Sequence, residues 1–272
     1  LPEELLTIED VKQIISAAAH IRDKALIAVL YESGCRVGEL GSLKLKNINF
    51  DKFGCQIIVD GKTGQRRVRL IHASPYLALW KENHPAKDNP DSPLWLSQGS
   101  KESVESIHYR NFVKIIAAAA KKAGLKKKVN PHAFRHARAT YLASHLTEAQ
   151  MKIYFGWTQS SDMASVYVHL SGRDVDNALL RLSGIEVNDT EENKNRNEAL
   201  KPITCPRCST ISPATGQFCN KCGMALELNV VMEVEEERRI ADETMNQLIK
   251  FPKVMAAVQE TLAELKAGVK HE

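Results

Sequence analysis

PHAFRHARATYL, residues 131–142, reads as the start of a helix built to present polar groups. Asn130 stands where an N-cap belongs, and Pro131 occupies the first helical position, where its missing N–H costs nothing. An i, i+3 spacing puts His132 and Arg135 on one face, so both can point at one site. Downstream, Thr147-x-x-Gln150 opens a second helix, Ser160 or Ser161 can cap a short one carrying Tyr167, and Ser171-x-x-Asp174 opens another ending near Gly184. Trp157 lies ten residues before Tyr167.

Upstream, Thr7-Ile8-Glu9-Asp10 resembles a capping box, with Val11, Ile14, Ile15 and Ala18 following at helical spacing. A helix over about 23–30 stops near Gly34, and 37–43 predicts a short third one, leaving Arg36 at a helix junction. From Asn49 the period changes to alternation. QIIVDG and QRRVRLI flank the turn-rich 60–64, which predicts a β-hairpin with Lys62 in its turn. Further helices are expected at 75–83 and 107–122.

Residues 1–185 hold 26 Lys and Arg against 18 Asp and Glu, whereas 186–272 hold 11 against 15, so the first part is the expected polyanion binder. Its densest basic run, 121–138, sits beside the His132–Arg135 face. No apolar run approaches the roughly 18 residues of a bilayer span, the opening LPEELLTIED is no secretory signal, and no Rossmann or Walker phosphate loop is present. Membrane proteins and nucleotide-dependent enzymes are thereby disfavoured.

Arg36, Lys62, His132, Arg135, Trp157 and Tyr167 together suit a phosphodiester. Guanidiniums match non-bridging oxygens, and a tyrosyl hydroxyl of pKa about 10 becomes a competent nucleophile beside cations and a base, which His132 could supply. Singly, each residue has an ordinary structural explanation, such as a helix-end partner, an exposed turn or a core aromatic. Tyr31, Tyr141 and Tyr154 keep that structural reading because each lies on an apolar helical stripe.

ESGCRVGEL, VDGKTGQRRVRL, PHAFRHARATYL and FGWTQSSDMASVYVHLS recur in the order found in the catalytic domain of lambda-integrase-type tyrosine recombinases, and the resemblance covers about residues 1–183. It implies an α+β, mainly helical catalytic domain with a small β-hairpin or sheet. It also implies catalytic roles for Arg36, Lys62, His132, Arg135, Trp157 and the nucleophile Tyr167, with Lys62 protonating the leaving oxygen. The commonest family residue at 157 is His; an indole donates but accepts no proton, which removes proton transfer from that position. Phe134 replaces the usual Leu, a conservative change. Arg66, Arg67 and Arg69 read as phosphate grips, His136 and His169 as supporting or capping groups, and Cys35 as a small buried residue. The implied activity is site-specific recombination of double-stranded DNA through a 3′-phosphotyrosyl link, with no catalytic cofactor, a tetrameric synapse and a cytoplasmic, nucleoid-associated setting. A type IB topoisomerase and a non-catalytic DNA-binding module are the alternatives. The N-terminal clamp domain usual in the family has no counterpart in these motifs.

Residues 186–200, EVNDTEENKNRNEAL, read as a polar linker. Beyond it, CPRC and CNKC place Cys205, Cys208, Cys219 and Cys222 in two knuckles ten residues apart, the pattern of a structural Zn²⁺ ribbon over 201–228 that is reminiscent of archaeal integrases. Leu248, Phe251, Met255, Val258, Leu262, Leu265 and Val269 form a heptad seam in a helical segment, 229–272, with a restart at Pro252 running to about Ala267.

Overall fold

In a computed structural model of the chain, residues 5–97, 105–170, 179–180, 182–183 and 199–268 are described. Two compact units are present, Leu1–Thr204 with Ile211–Thr215, and Cys205–Thr210 with Gly216–Glu272. The helix expected from Ser171 lies outside the described residues, as does most of the linker. The linker's last two residues are buried: Ala199 is 9% and Leu200 7% exposed.

The first unit begins with α1 (Ile8–Ala17), whose Thr7–Asp10 capping box satisfies both end donors, and α2 (Ile21–Ser33). Burial takes in α2 from Ala25 to Ser33, so this helix is the unit's axis, and it ends on Gly34 in the left-handed conformation, φ 56°. A short α3 (Val37–Gly41) follows. Then β1 (Ile48–Asp51), β2 (Gly54–Gly61) and β3 (Gly64–Leu70) form an antiparallel sheet in that order. The sequence predicts only the β2–β3 hairpin; β1 adds a third strand. Ile57 faces Val68, Val59 faces Arg66 and Gly61 faces Gly64, which leaves Lys62 and Thr63 as the two-residue turn.

Next come α4 (Ser74–Glu82), α5 (Tyr109–Lys122), α6 (Pro131–Ala143), α7 (Glu148–Phe155) and α8 (Met163–Leu170). Asn130 Oδ1 accepts from Ala133 N at 2.9 Å, as the sequence predicts for the start of α6. One core joins α1–α5 and the sheet to Phe134 and Ala137 of α6. A second, smaller cluster gathers Ala139, Leu142, Met151, Phe155 and Ala164, with Trp157 and Tyr167 packed against it. Helix α6 belongs to both, so its polar face lies at the seam between them. Each large side chain buried here contributes roughly 1.5–3 kcal/mol.

The buried Glu32 carboxylate, 3% exposed, accepts from the amides of Ile71 (2.8 Å), His72 (3.1 Å) and Ala73 (2.6 Å), tying β3's exit and the start of α4 to α2. Strands β4 (Ile203–Thr204) and β5 (Ile211–Ser212) pair within this same unit, and Tyr76 Oη donates to Thr215 Oγ1 at 3.0 Å. This short strand pair groups with the larger unit, and Leu200, Ser212 and Ala214 near it are buried.

The second unit carries both cysteine knuckles, then α9 (Leu228–Leu248) and α10 (Pro252–Gly268), the latter starting at the proline as expected. No helix among the described residues is long and apolar enough to cross a membrane.

Candidate active site

A cleft of about 460 Å³ in the first unit is lined by Arg36, Lys62, His132, Arg135, Trp157 and Tyr167, together with Thr63, His136, Gly156 and Thr158. All six catalytic candidates, which come from five separate segments, thus meet at one place. Among the described residues, two larger depressions elsewhere, one beside Val37 and Phe112 and one along the charged face of residues 232–246, lack that convergence of cations, imidazoles and a tyrosine.

Arg135 is held from two sides. Its Nη1 donates to Gly34 O at 2.7 Å and its Nη2 to Phe155 O at 2.8 Å, carbonyls at the C-termini of α2 and α7 where helix dipoles favour a cation. The guanidinium lies over the rings of Phe155 and Trp157, at 5.0 and 5.5 Å. Burial, and then repulsion from Arg36, bring its pKa down to about 10, so it stays charged at neutral pH. The approach leaves no room for a side chain at residue 34: a Cβ there would come within 2.5 Å of Phe155 Cε1.

Arg36 caps α3 and is oriented by Glu39, which accepts from Arg36 N (2.9 Å) and Arg36 Nη1 (3.0 Å). The same carboxylate accepts from Arg66 Nη2 at 2.7 Å. Burial alone would raise the Glu39 carboxyl, but Arg66 and Arg36 hold it below the usual range. Glu39 is 5% exposed, and the sequence signal for its role is its position three residues after Arg36, in the first turn of α3.

Arg66 and Arg69 correct the sequence reading of phosphate grips. Arg66 has a side chain 8% exposed, bonded to Glu39 and to Tyr154 O at 2.9 Å, and Arg69 clamps Asp51 at 2.6 and 2.7 Å. Their charge is spent on the protein itself. Arg67 is exposed.

Lys62 is exposed on the β2–β3 turn, which Thr63 Oγ1 fastens by donating to Gly156 O at 3.2 Å. Gly156 ends α7 in the left-handed region, φ 61°, and a Cβ there would come within 2.8 Å of Arg66 Nη1. Tyr167, on α8, stacks its ring on Trp157 with centroids 5.9 Å apart and planes 3° from parallel. Burial raises its pKa while Arg135 opposes the rise. Its hydroxyl is hydrogen-bonded to Nδ1 of His136, a residue for which the sequence predicts only a supporting or capping role. Burial, then His132 and Arg135, lower the His136 pKa and keep its ring neutral near pH 7. Tyr154 behaves as the structural tyrosine expected, its hydroxyl donating to Glu32 O. Cys35 is buried, as expected.

In the second unit the Sγ atoms of Cys205, Cys208, Cys219 and Cys222 all lie within 4.8 Å of one another. Cys205–Cys222 and Cys208–Cys219 approach to 3.6 and 3.5 Å. Four thiolates at about 2.3 Å from a tetrahedral ion would be roughly 3.8 Å apart, so the donor set fits Zn²⁺. Hydrogen bonds from Thr210, side chain first, bring the Cys208 thiol down to about 6, whereas burial and the neighbouring cysteines hold the Cys222 thiol up at about 11, so the fit to Zn²⁺ rests on the spacing of the four sulfurs. Each knuckle turns on a left-handed residue just after its second cysteine, Ser209 (φ 58°) and Gly223 (φ 70°).

The phage integrase family model matches residues 4–173. Among curated proteins, the tyrosine recombinase XerA of Pyrococcus horikoshii is 33% identical over 142 residues, covering 52% of this chain and 48% of that protein. XerA of Pyrococcus furiosus is 29% identical over 188 residues, covering 68% and 64%. The chain thus spans about half to two thirds of the length of these relatives. A crystal structure of XerA recombinase matches with TM-score 0.51 and 21% identity over 67% of this chain and 64% of that one. The Tn1549 transposon integrase in complex with circular intermediate DNA matches with TM-score 0.52 and 19% identity, over 68% and 67%. The fold is therefore that of a tyrosine-recombinase catalytic domain, and with more than half its length matched by the family model, the chain belongs to the phage integrase family.

Proposed function

We propose that this chain cleaves and rejoins double-stranded DNA at specific sites through a 3′-phosphotyrosyl intermediate formed on Tyr167. The single observation that carries this reading is the convergence of Arg36, Lys62, Arg135 and Tyr167 on one cleft from separate segments. In the transition state negative charge spreads over the non-bridging oxygens, and Arg36 and Arg135 are preformed partners for it. One preorganised donor of this kind contributes on the order of 3 kcal/mol. His132 and the Trp157 indole N–H add further hydrogen bonds to phosphate. Lys62 gives the leaving 5′-oxygen its proton from an exposed turn that can follow the DNA. Bond energy stays in the phosphotyrosyl ester, so the scheme requires neither nucleotide nor metal at the reacting atoms.

The partner is DNA, bound through a unit carrying 26 basic against 18 acidic residues over 1–185, and binding should weaken steeply with salt. Strand exchange calls for self-association on DNA, for which a tetrameric synapse is the natural stoichiometry, in the cytoplasm or nucleoid. Cys205, Cys208, Cys219 and Cys222 hold a structural Zn²⁺, with the ribbon at 201–228 between a linker at 186–200 and the helical segment at 229–272.

The test is capture of protein-linked DNA from a pool of nicked duplexes of randomised sequence, in which loss of a short 3′ fragment blocks religation. Wild-type protein should become covalently attached and Tyr167→Phe should not; equal attachment by both would refute the assignment. Exchange of strands between two captured duplexes then separates recombination from topoisomerase-like resealing.

A further inference from the structure

His136 meets the hydroxyl of Tyr167 directly, and no comparable bond joins His132 to it among the described residues. The two imidazoles sit one turn apart on α6, so both line the cleft, yet α8 brings Tyr167 to the second. The rings of His136 and Tyr167 have centroids 5.9 Å apart and are tilted by 48°, and the hydrogen bond brings Nδ1 to the phenolic oxygen. On the other side, Trp157 lies flat against the same tyrosine ring. The phenol is therefore positioned by one flat aromatic contact and one directional bond.

We propose that His136 is a catalytic residue, the base that holds the Tyr167 hydroxyl and takes its proton during DNA cleavage. This rests on the strand-transfer reading above and assigns it a proton path. As the Oη–P bond forms and the P–O5′ bond breaks, the phenolic proton passes to Nδ1 and the leaving oxygen receives its proton from Lys62. In religation the 5′-hydroxyl attacks phosphorus and returns its proton to the neutral Lys62 amine, the P–Oη bond breaks, and the proton on Nδ1 goes back to the tyrosyl oxygen. For Nδ1 to accept, the neutral ring must carry its proton on Nε2. Burial, then His132 and Arg135, favour a neutral His136, and the cations Arg36, Lys62 and Arg135 that line the same cleft stabilise the emerging phenolate. His132 is then left to donate to phosphate.

The test is single-turnover cleavage of a nicked duplex recovered as adduct-forming, followed between about pH 5 and 8, for wild type, Tyr167→Phe, His136→Gln and His132→Gln. Wild-type adduct that vanishes in Tyr167→Phe establishes the underlying reading independently of the two histidine arms. In wild type the rate should rise with pH through the ionisation of His136 and then level off. His136→Gln should cleave roughly 100-fold more slowly and lose that rising limb, with duplex affinity by gel shift unchanged. His132→Gln should be slowed but keep the limb. A His136→Gln protein that retains the limb, or that cleaves within threefold of wild type, would overturn the proposal.

Discussion

Replacing Glu39 by Gln removes the one carboxylate that Arg36 and Arg66 share while keeping its shape. Glu39 and the Arg66 side chain are 5% and 8% exposed, and breaking a pair so buried costs about 3–5 kcal/mol because the remaining charge has no partner. The Arg36 side chain is 43% exposed, so its pairing with Glu39 adds well under 1 kcal/mol. Gln retains one acceptor, which places the expected loss near the lower end, about 3 kcal/mol, or roughly 6–12 °C in Tm for a unit of this size. Thermal unfolding at neutral pH would read this directly. Adding Arg66→Met to Glu39→Gln should restore part of the loss, since no buried guanidinium is then left unpaired. The pH dependence has a definite sign. The folded-state pKa of Glu39 is depressed, so its contribution is present above the unfolded carboxyl value near 4.5 and is lost as pH falls through the lower folded value. The gap between wild type and Glu39→Gln should therefore narrow in acid. A Tm drop under 2 °C at neutral pH, or a gap that widens as pH falls, would refute the reasoning.

Lys62→Ala should slow cleavage of ordinary DNA by about 100-fold yet cleave a 5′-phosphorothiolate substrate at close to the wild-type rate, because a thiolate leaves without a proton; equal impairment on both substrates would remove Lys62 as the acid. Gly34→Ala should lower Tm by several degrees and reduce adduct formation further, since residue 34 needs φ 56° and its Cβ would strike the Phe155 ring against which Arg135 rests; unchanged Tm and cleavage would contradict that packing. Purified protein should contain about one zinc per chain, and a strong chelator should expose four fast-reacting thiols while Cys35 and Cys55, 1% and 0% exposed, stay protected in the folded unit. Four reactive thiols before chelation, with no bound metal, would dismiss the zinc assignment.

Much of this site could be read along the chain because its parts coincide with strong local signals. The Asn130–Pro131 helix start, the turn around Lys62 and the Thr147–Gln150 capping box are short-range features, and each forms where its residues dictate. Strand β1 escaped notice because Ile48–Asp51 is four residues long and only Ile48 is buried. Arg66 was misread although its strand announces its direction: 66, 68 and 70 share one face, and Val68 and Leu70 are fully buried. A basic residue on that face has to find its partner inside the protein, and it finds Glu39. His136 was undervalued for a different reason. Its i, i+4 relation to His132 was visible, but which imidazole meets Tyr167 depends on the packing of α8 on α6, a contact made across 31 residues. The left-handed Ser209 in the first knuckle, where the second has Gly223, follows from the turn geometry both knuckles share.

Tyr167 as the nucleophile is the central claim about this molecule, and the most direct measurement is to locate the covalent bond. Adduct formed on a nicked duplex, digested with nuclease and protease and sequenced by mass spectrometry, should yield one modified peptide with nucleotide attached to Tyr167 through a 3′-phosphate. Attachment at Tyr141, Tyr154 or any residue other than Tyr167, or through a 5′-phosphate, would contradict it.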